Sequence, residues 1–305
     1  MVLVGTSGWS YPSGRGTWNG VFYPAPRPRG FDELAFYADH FDTVEVNSSF
    51  YRMPDAGLTQ KWVDRTPASF SFAVKLFQKF THPEMYQARH GVKEWDLSRD
   101  DIDLFRSGLE PLASQARLAA LLIQFPPSFH RTTESRAYLE WLLAAFRAYP
   151  LAIELRHKTW SDEGADTTSI LNQFDASWVL IDEPKFASSV RQRDVPTSSS
   201  SLLYMRLHGR NAAEWWQHAA SEDRYNYLYS PEELQPFAKQ ADTASKAGRR
   251  VLVYMNNHFS AKAVANAAVL KHELGQPVPG EYTAEMLEKY PQLVSAVSTN
   301  GRLRE

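Results

Sequence analysis

The 305-residue chain contains no cysteine, which removes disulfides, thiol nucleophiles and cysteine-ligated metals together. The compartment stays open on that ground, because a cysteine-free chain fits any redox setting. No apolar run approaches the roughly 20 residues needed to span a bilayer. The N-terminus passes from Met1 directly into an apolar run at 2–4, with no basic region or cleavage site before it. A cytoplasmic protein without a membrane partner is expected. An excess of one charge sign is also missing: Lys+Arg 33 against Asp+Glu 35 leaves a formal net charge of -2. The chain therefore lacks the global basic field that drives nucleic-acid binding.

Several catalytic signatures are absent as well. Gly5 and Gly8 are not followed by a third glycine and a helix, so there is no dinucleotide fingerprint and no organic cofactor is expected. No His-x-His or His-Glu-x-x-His spacing announces a metal. No Gly-x-Ser-x-Gly elbow exists, and Ser7 reads as a turn residue.

What is present is a repeating pattern. Eight short apolar runs each end in polar side chains: Thr6, Glu45 with Asn47, Lys75, Gln124, Glu154 with Arg156, Asp182, Arg206 with His208, and Asn256 with Asn257. Between them lie stretches of helical spacing at 31–41, 58–65, 100–115, 134–149, 166–174, 231–247 and 260–274. Such alternation favours parallel β-structure. It predicts a single TIM-like (β/α)8 barrel over 1–305, with 280–305 as a helical tail packed outside and 302–305 frayed. The rival is a doubly wound open sheet, which the missing glycine fingerprint disfavours. Long connections at 7–30, 77–99 and 209–230 follow strands and would overhang the C-terminal mouth, where barrel enzymes keep their chemistry. The serine-rich stretch 194–201 reads as a surface linker.

Barrel interiors are normally filled by Val, Ile and Leu, so polar groups at every strand end point to a ligand site rather than to filler ion pairs. Glu45 or Glu154 would serve as general base or acid, with His208 poised near neutral pH. Lys75 would hold an anion as a point charge, act as a desolvated Schiff-base lysine, or pair with Glu45. Arg156 and Arg206 would grip a phosphate or carboxylate. Asn47, Gln124, His157, Asp182, Arg210, Asn211, Asn256 and Asn257 would orient the substrate. Trp9, Tyr11, Tyr51, Trp160 and Trp215 would wall the pocket. A divalent metal on Glu45, Glu154, Asp182 and His208 is the alternative. His82, His90, His130, His218 and His272 are scattered, and most read as surface residues.

The ordered motifs resemble one family. They are GTSGW at 5–9, TVEVNSSFY at 43–51, FAVK at 72–75, QFPP at 124–127, ELRH at 154–157 with Trp160, and DEP at 182–184. RLHGRN at 206–211 with Trp215, YLY at 227–229 and YMNN at 254–257 complete the set. They resemble the YecE/YunF-like family, known as domain of unknown function 72. The resemblance implies a TIM-barrel-like fold with a polar mouth and supplies no reaction. Three classes follow. The first is an enzyme (hydrolase, lyase or isomerase) using acid–base chemistry on a small anionic or sugar-like substrate, with no organic cofactor. The second is a metal-dependent nuclease- or isomerase-like barrel, in which Arg15, Arg27, Arg29, Arg210 and Arg224 would track a nucleic-acid backbone. The third is a non-catalytic ligand-binding protein.

Overall fold

The computed structural model describes residues 1–192, 198–217, 219–220 and 222–298. His218, residues 302–305 and residues 194–197 of the 194–201 linker lie outside the described residues. The strands are β1 (Val2–Thr6), β2 (Thr43–Val46), β3 (Ser71–Lys75), β4 (Leu118–Gln124), β5 (Leu151–Glu154), β6 (Ser177–Trp178), β7 (Leu180–Asp182), β8 (Leu202–Leu207) and β9 (Arg250–Met255). They pair in two sheets, in the orders β1-β9-β8-β7 and β2-β3-β4-β5-β6. Pairing is parallel between β1 and β9, β3 and β4, β4 and β5, and β5 and β6. Parallel neighbours need a crossover. The helices Arg99–Ser114, Thr133–Phe146 and Gly164–Gln173 provide it between β3 and β6.

Of the expected (β/α)8 barrel, the alternating α/β architecture with parallel strands is present. The fold is mixed α/β with parallel sheets, and among the described residues the pairing gives sheets of four and five strands without one closed ring. The extra strand comes from the sixth apolar run, which breaks at Val179. The Val179 amide still bonds the Ile153 carbonyl of β5 at 2.9 Å. Three residues later, the Asp182 carbonyl receives the His208 amide at 2.8 Å instead. The backbone thus changes partners within one run. Two compact units result, Met1–Val44 with Ile181–Pro184 and Met205–Glu305, and Glu45–Leu180 with Lys185–Tyr204.

In the second unit all seven residues of β4 are buried, which explains its unbroken apolar run: a strand covered on both faces has no polar alternation. The helix Arg99–Ser114 buries Ile102, Phe105, Leu109 and Leu112, the face its spacing predicted. Ser98 and Asp101 cap it reciprocally. In the first unit Pro231–Lys246 starts with Pro231 in its first turn and a capping box between Ser230 and Glu233. The connection at 77–99, expected as a long loop, contains the helices Gln78–Thr81 and Pro83–His90. Pro83 opens the second, and Gly91 closes it at φ 66°, a left-handed position suited to glycine. The tail forms two short helices, Ala284–Lys289 and Gln292–Ser298, of which the second packs on Lys262–Glu273. No helix among the described residues is long and apolar enough to cross a membrane.

Candidate functional site

Parallel strands bring their C-terminal ends to one edge, so Lys75, Gln124 and Glu154, which end β3, β4 and β5, share that edge. Gln124 and Glu154 are in register. Glu154 is fully buried, and its Oε1 accepts from both Nε and Nη2 of Arg156 at 2.6 Å. Arg156 is the member of the pair that reaches solvent, with a side chain 13% exposed. Lys75 is also partly exposed, and its Nζ sits 4.0 Å from the centre of the Phe50 ring. Glu45, fully buried, accepts from the Tyr204 hydroxyl at 2.6 Å. Asn47 stands at the N-cap of the short helix Ser48–Tyr51, and its Oδ1 is buried without a hydrogen-bond partner among the described residues. At this edge the acids are interior and the cations meet water.

His82 joins this group, a correction to its reading as a surface residue. It is buried, edge-on to Phe50 with ring centroids 4.9 Å apart. Its Nδ1 lies 2.8 Å from Thr81 Oγ1, and its Nε2 lies 3.5 Å from the Gln124 side-chain amide. Burial draws its pKa down to about 3, helped by the positive charges of Lys75 and Arg156 and opposed by Glu154. The imidazole is therefore neutral at physiological pH. The same ring borders a cavity of about 360 Å³ between the start of the helix Pro83–His90 and the loop after β4.

Other expected residues of this unit take structural places. Trp160 is fully buried, and its indole N–H donates to the Phe129 carbonyl at 2.7 Å, so it is interior rather than a pocket wall. His157 caps the helix Lys158–Asp162 and stacks on His130 at 3.8 Å. Tyr51 is exposed, with the Arg89 guanidinium 5.3 Å from its ring centre.

The first unit holds a separate group. Arg210 grips Asp182 with two bonds, Nε to Oδ2 at 2.8 Å and Nη2 to Oδ1 at 3.1 Å. The Tyr229 hydroxyl donates to the same carboxylate at 2.7 Å. Arg210 Nη1 reaches Glu233 at 3.0 Å, and Tyr227 donates to that carboxylate at 2.6 Å. Asp182 raises the already high pKa of Arg210, while burial and then Glu233 push Tyr227 up to about 12. His208 is fully buried, with Nδ1 2.7 Å from the Asn256 side-chain nitrogen and Trp215 edge-on at 6.3 Å. Arg206 is buried beside it in sequence, and Trp9 is partly exposed. Asn257 bonds Asn266 and the Tyr227 carbonyl, while Asn211 bonds Glu214 and the Asp223 carbonyl, so both tie loops together. His258 stacks on Tyr11 at 4.3 Å, and burial lowers its pKa to about 4.

The conditional metal set of Glu45, Glu154, Asp182 and His208 is not gathered: among the described residues no three His, Asp or Glu side chains are placed to hold a metal ion. Sequence reasoning missed Tyr204 and His82. Tyr204 lies inside the apolar run that ends in Arg206 and His208, where the polar ends of the run drew the attention. His82 lay in a long connection after a strand, the kind of segment where functional residues concentrate, and that was its one signal.

Residues 3–292 match the model of a family described as "Protein of unknown function DUF72". The chain is 28% identical over 272 residues to the UPF0759 protein YunF of Bacillus subtilis (strain 168), covering 87% of this chain and 92% of that protein. It is 24% identical over 185 residues to the UPF0759 protein YecE of Escherichia coli O157:H7, covering 60% of this chain and 59% of that one. Among solved structures, a DUF72 family protein of Thermotoga maritima MSB8 superposes with a TM-score of 0.73 at 32% identity, covering 90% of this chain and all of that one (100%). One from Enterococcus faecalis V583 gives 0.76 at 25% identity, covering 93% and 100%. With the family model matched over nearly its whole length, the chain belongs to the DUF72 family, whose function is unknown.

Proposed function

We propose that this chain is an enzyme using acid–base chemistry on a small anionic or sugar-like substrate, with its centre at the C-terminal ends of β3, β4 and β5. One observation carries the reading: at this edge the carboxylates of Glu45 and Glu154 are fully buried, while the groups reaching water are the cations Lys75 and Arg156. An edge of that polarity attracts an anion, and arginine matches phosphate or carboxylate geometry. The substrate anion takes a share of the Arg156 guanidinium, next to the Glu154 carboxylate. Glu154 then accepts a proton from the substrate and hands it back to the product, while Lys75 lends a proton and takes one back, so both groups are restored before release. Such a sequence serves a hydrolase, a lyase or an isomerase without an organic cofactor. Glu45, bonded to Tyr204, is a positioning residue. His208, bonded to Asn256 in the other unit, enters no step.

A non-catalytic binding role is the second reading. It is favoured by the two-pronged Arg210–Asp182 pair, which occupies that acid as a structural link. A (β/α)8-like barrel in one domain with its mouth at these ends belongs to our proposal. The strand orders 2-3-4-5-6 and 7-8-9-1 support it, since they pass once through the chain in cyclic sequence. A cytoplasmic setting belongs to it too.

The test is thermal shift of the wild type, Arg156→Gln and Glu154→Gln against inorganic phosphate, sugar phosphates and small carboxylates. A ligand at 100 times its Kd adds about 2.7 kcal/mol of stability. The proposal expects anions to stabilise the wild type, Arg156→Gln to abolish the shift, and Glu154→Gln to abolish turnover of the ligand so found. Stabilisation by no anion would sink it, and ligand binding without turnover would promote the binding role.

A further inference from the structure

The cavity beside His82 has a composition of its own. Pro83, Met85, Pro126 and Phe129 give it flat apolar walls, and Ser128 brings a hydroxyl. Its one charged lining residue is an acid, Glu84, so a second anion would be repelled there. Phe129 is held rigid by stacking on Phe125 at 3.9 Å and on Trp160 at 5.4 Å. At about 360 Å³ the cavity sits near the lower end of ligand pockets, roughly 300 to 1,000 Å³, which suits one ring.

His82 is the polar feature of this wall. Thr81 Oγ1 engages Nδ1, so Nε2 is the ring atom offered for recognition, with the Gln124 amide at the limit of bonding distance. An uncharged imidazole bonds a hydroxyl without demanding a counter-charge, and rigid apolar planes receive the C–H face of a sugar.

We propose that this cavity is a subsite for the uncharged, hydroxyl-bearing ring of a sugar or polyol, recognised by a hydrogen bond at His82 Nε2 and by the apolar walls. Resting on the reading of Lys75 and Arg156 as an anion site, it makes the substrate class a phosphorylated or carboxylated sugar with its charge at Arg156 and its ring beside His82. His82 and Lys75 meet the same Phe50 ring, at 4.9 and 4.0 Å, and Gln124, in register with Glu154, lies 3.5 Å from His82 Nε2, so one small molecule can meet both.

The experiment is calorimetric titration with inorganic phosphate, ribose 5-phosphate, glucose 6-phosphate and the two free sugars. It uses the wild type, His82→Asn and Met85→Trp. Met85 is 48% exposed, so tryptophan there fills the cavity without disturbing the core, and it keeps the test open if His82→Asn misfolds. We expect a sugar phosphate to bind the wild type at least ten-fold more tightly than inorganic phosphate. Met85→Trp should erase that advantage and leave phosphate binding unchanged, and His82→Asn should weaken binding of the sugar phosphate more than that of phosphate. Equal affinity for phosphate and sugar phosphates in the wild type, or an advantage that survives Met85→Trp, overturns the subsite and leaves the anion site standing. Binding of free sugar lost in Met85→Trp, with no phosphate binding at all, overturns the anion site and keeps the cavity. Binding of none of the five overturns both.

Discussion

Glu154 and Arg156 stand two positions apart at the end of β5, and their pairing removes the carboxylate from water altogether. A charge buried this way is tolerated only while its partner stays, so deleting the partner costs more than the pair itself contributes. Arg156→Ala is expected to lower stability by roughly 3–5 kcal/mol in urea unfolding at pH 7.5. Lys246→Ala, which removes the partner of Asp242 in an exposed helical pair, should cost about 0.5 kcal/mol or less. Equal costs would show that Glu154 is not held as an isolated buried charge. The same contrast separates the other acids. Asp182 is locked by two bonds from Arg210 and Glu45 accepts from the Tyr204 hydroxyl, so carboxylates that look alike at strand ends meet different side chains. Their positions at the ends of apolar runs carried no information about which partner each would meet.

Helix limits were the most legible part of the fold, because their signals are local. Asp55, Ser98, Thr132 and Ser230 each accept a bond from a first-turn amide of the helix that follows. The predicted stretches at 100–115 and 231–247 coincide with Arg99–Ser114 and Pro231–Lys246 to within a residue at each end. How elements approach one another was not legible. Gly108 lies inside Arg99–Ser114, where alanine would ordinarily raise helix stability by up to about 1 kcal/mol. Here a Cβ would fall 2.1 Å from the Pro54 carbonyl oxygen, and the Gly108 carbonyl accepts the Thr59 hydroxyl at 2.7 Å. Gly108→Ala should therefore destabilise, by about 1–3 kcal/mol, through displacement of the backbone it meets. A gain in melting temperature would show that this approach is looser than the geometry states. The sixth strand run shows the same limit. Its apolar residues announced one strand, but hydrogen bonding divided them between two sheets at Val179.

For the whole molecule, the histidines with lowered pKa values shape the response to acid. His82 is drawn down to about 3 and His258 to about 4, both chiefly by burial, against 6.5 for an unfolded histidine. Between those values the unfolded chain binds more protons than the folded one. Stability is therefore full above about pH 6.5 and falls as pH drops toward 4 and then 3, by up to about 1.4 kcal/mol per pH unit for each histidine. Urea midpoints should decline between pH 7 and 5, before carboxylates titrate, and His82→Asn should flatten part of the slope. A midpoint constant over that interval would contradict the desolvation of both rings. Composition excluded thiol chemistry, and the alternation of short apolar runs with helical spacing determined a parallel α/β fold. The polar residues ending each run marked the downstream ends of the strands, since all of these are properties of neighbours along the chain. Only the tertiary structure decided the sheet partition, the burial of His82 and the choice of partner for each acid. Tyr204 meets Glu45 across 159 positions and Gln124 approaches His82 across 42, and a side chain's burial and charge environment come from such distant residues.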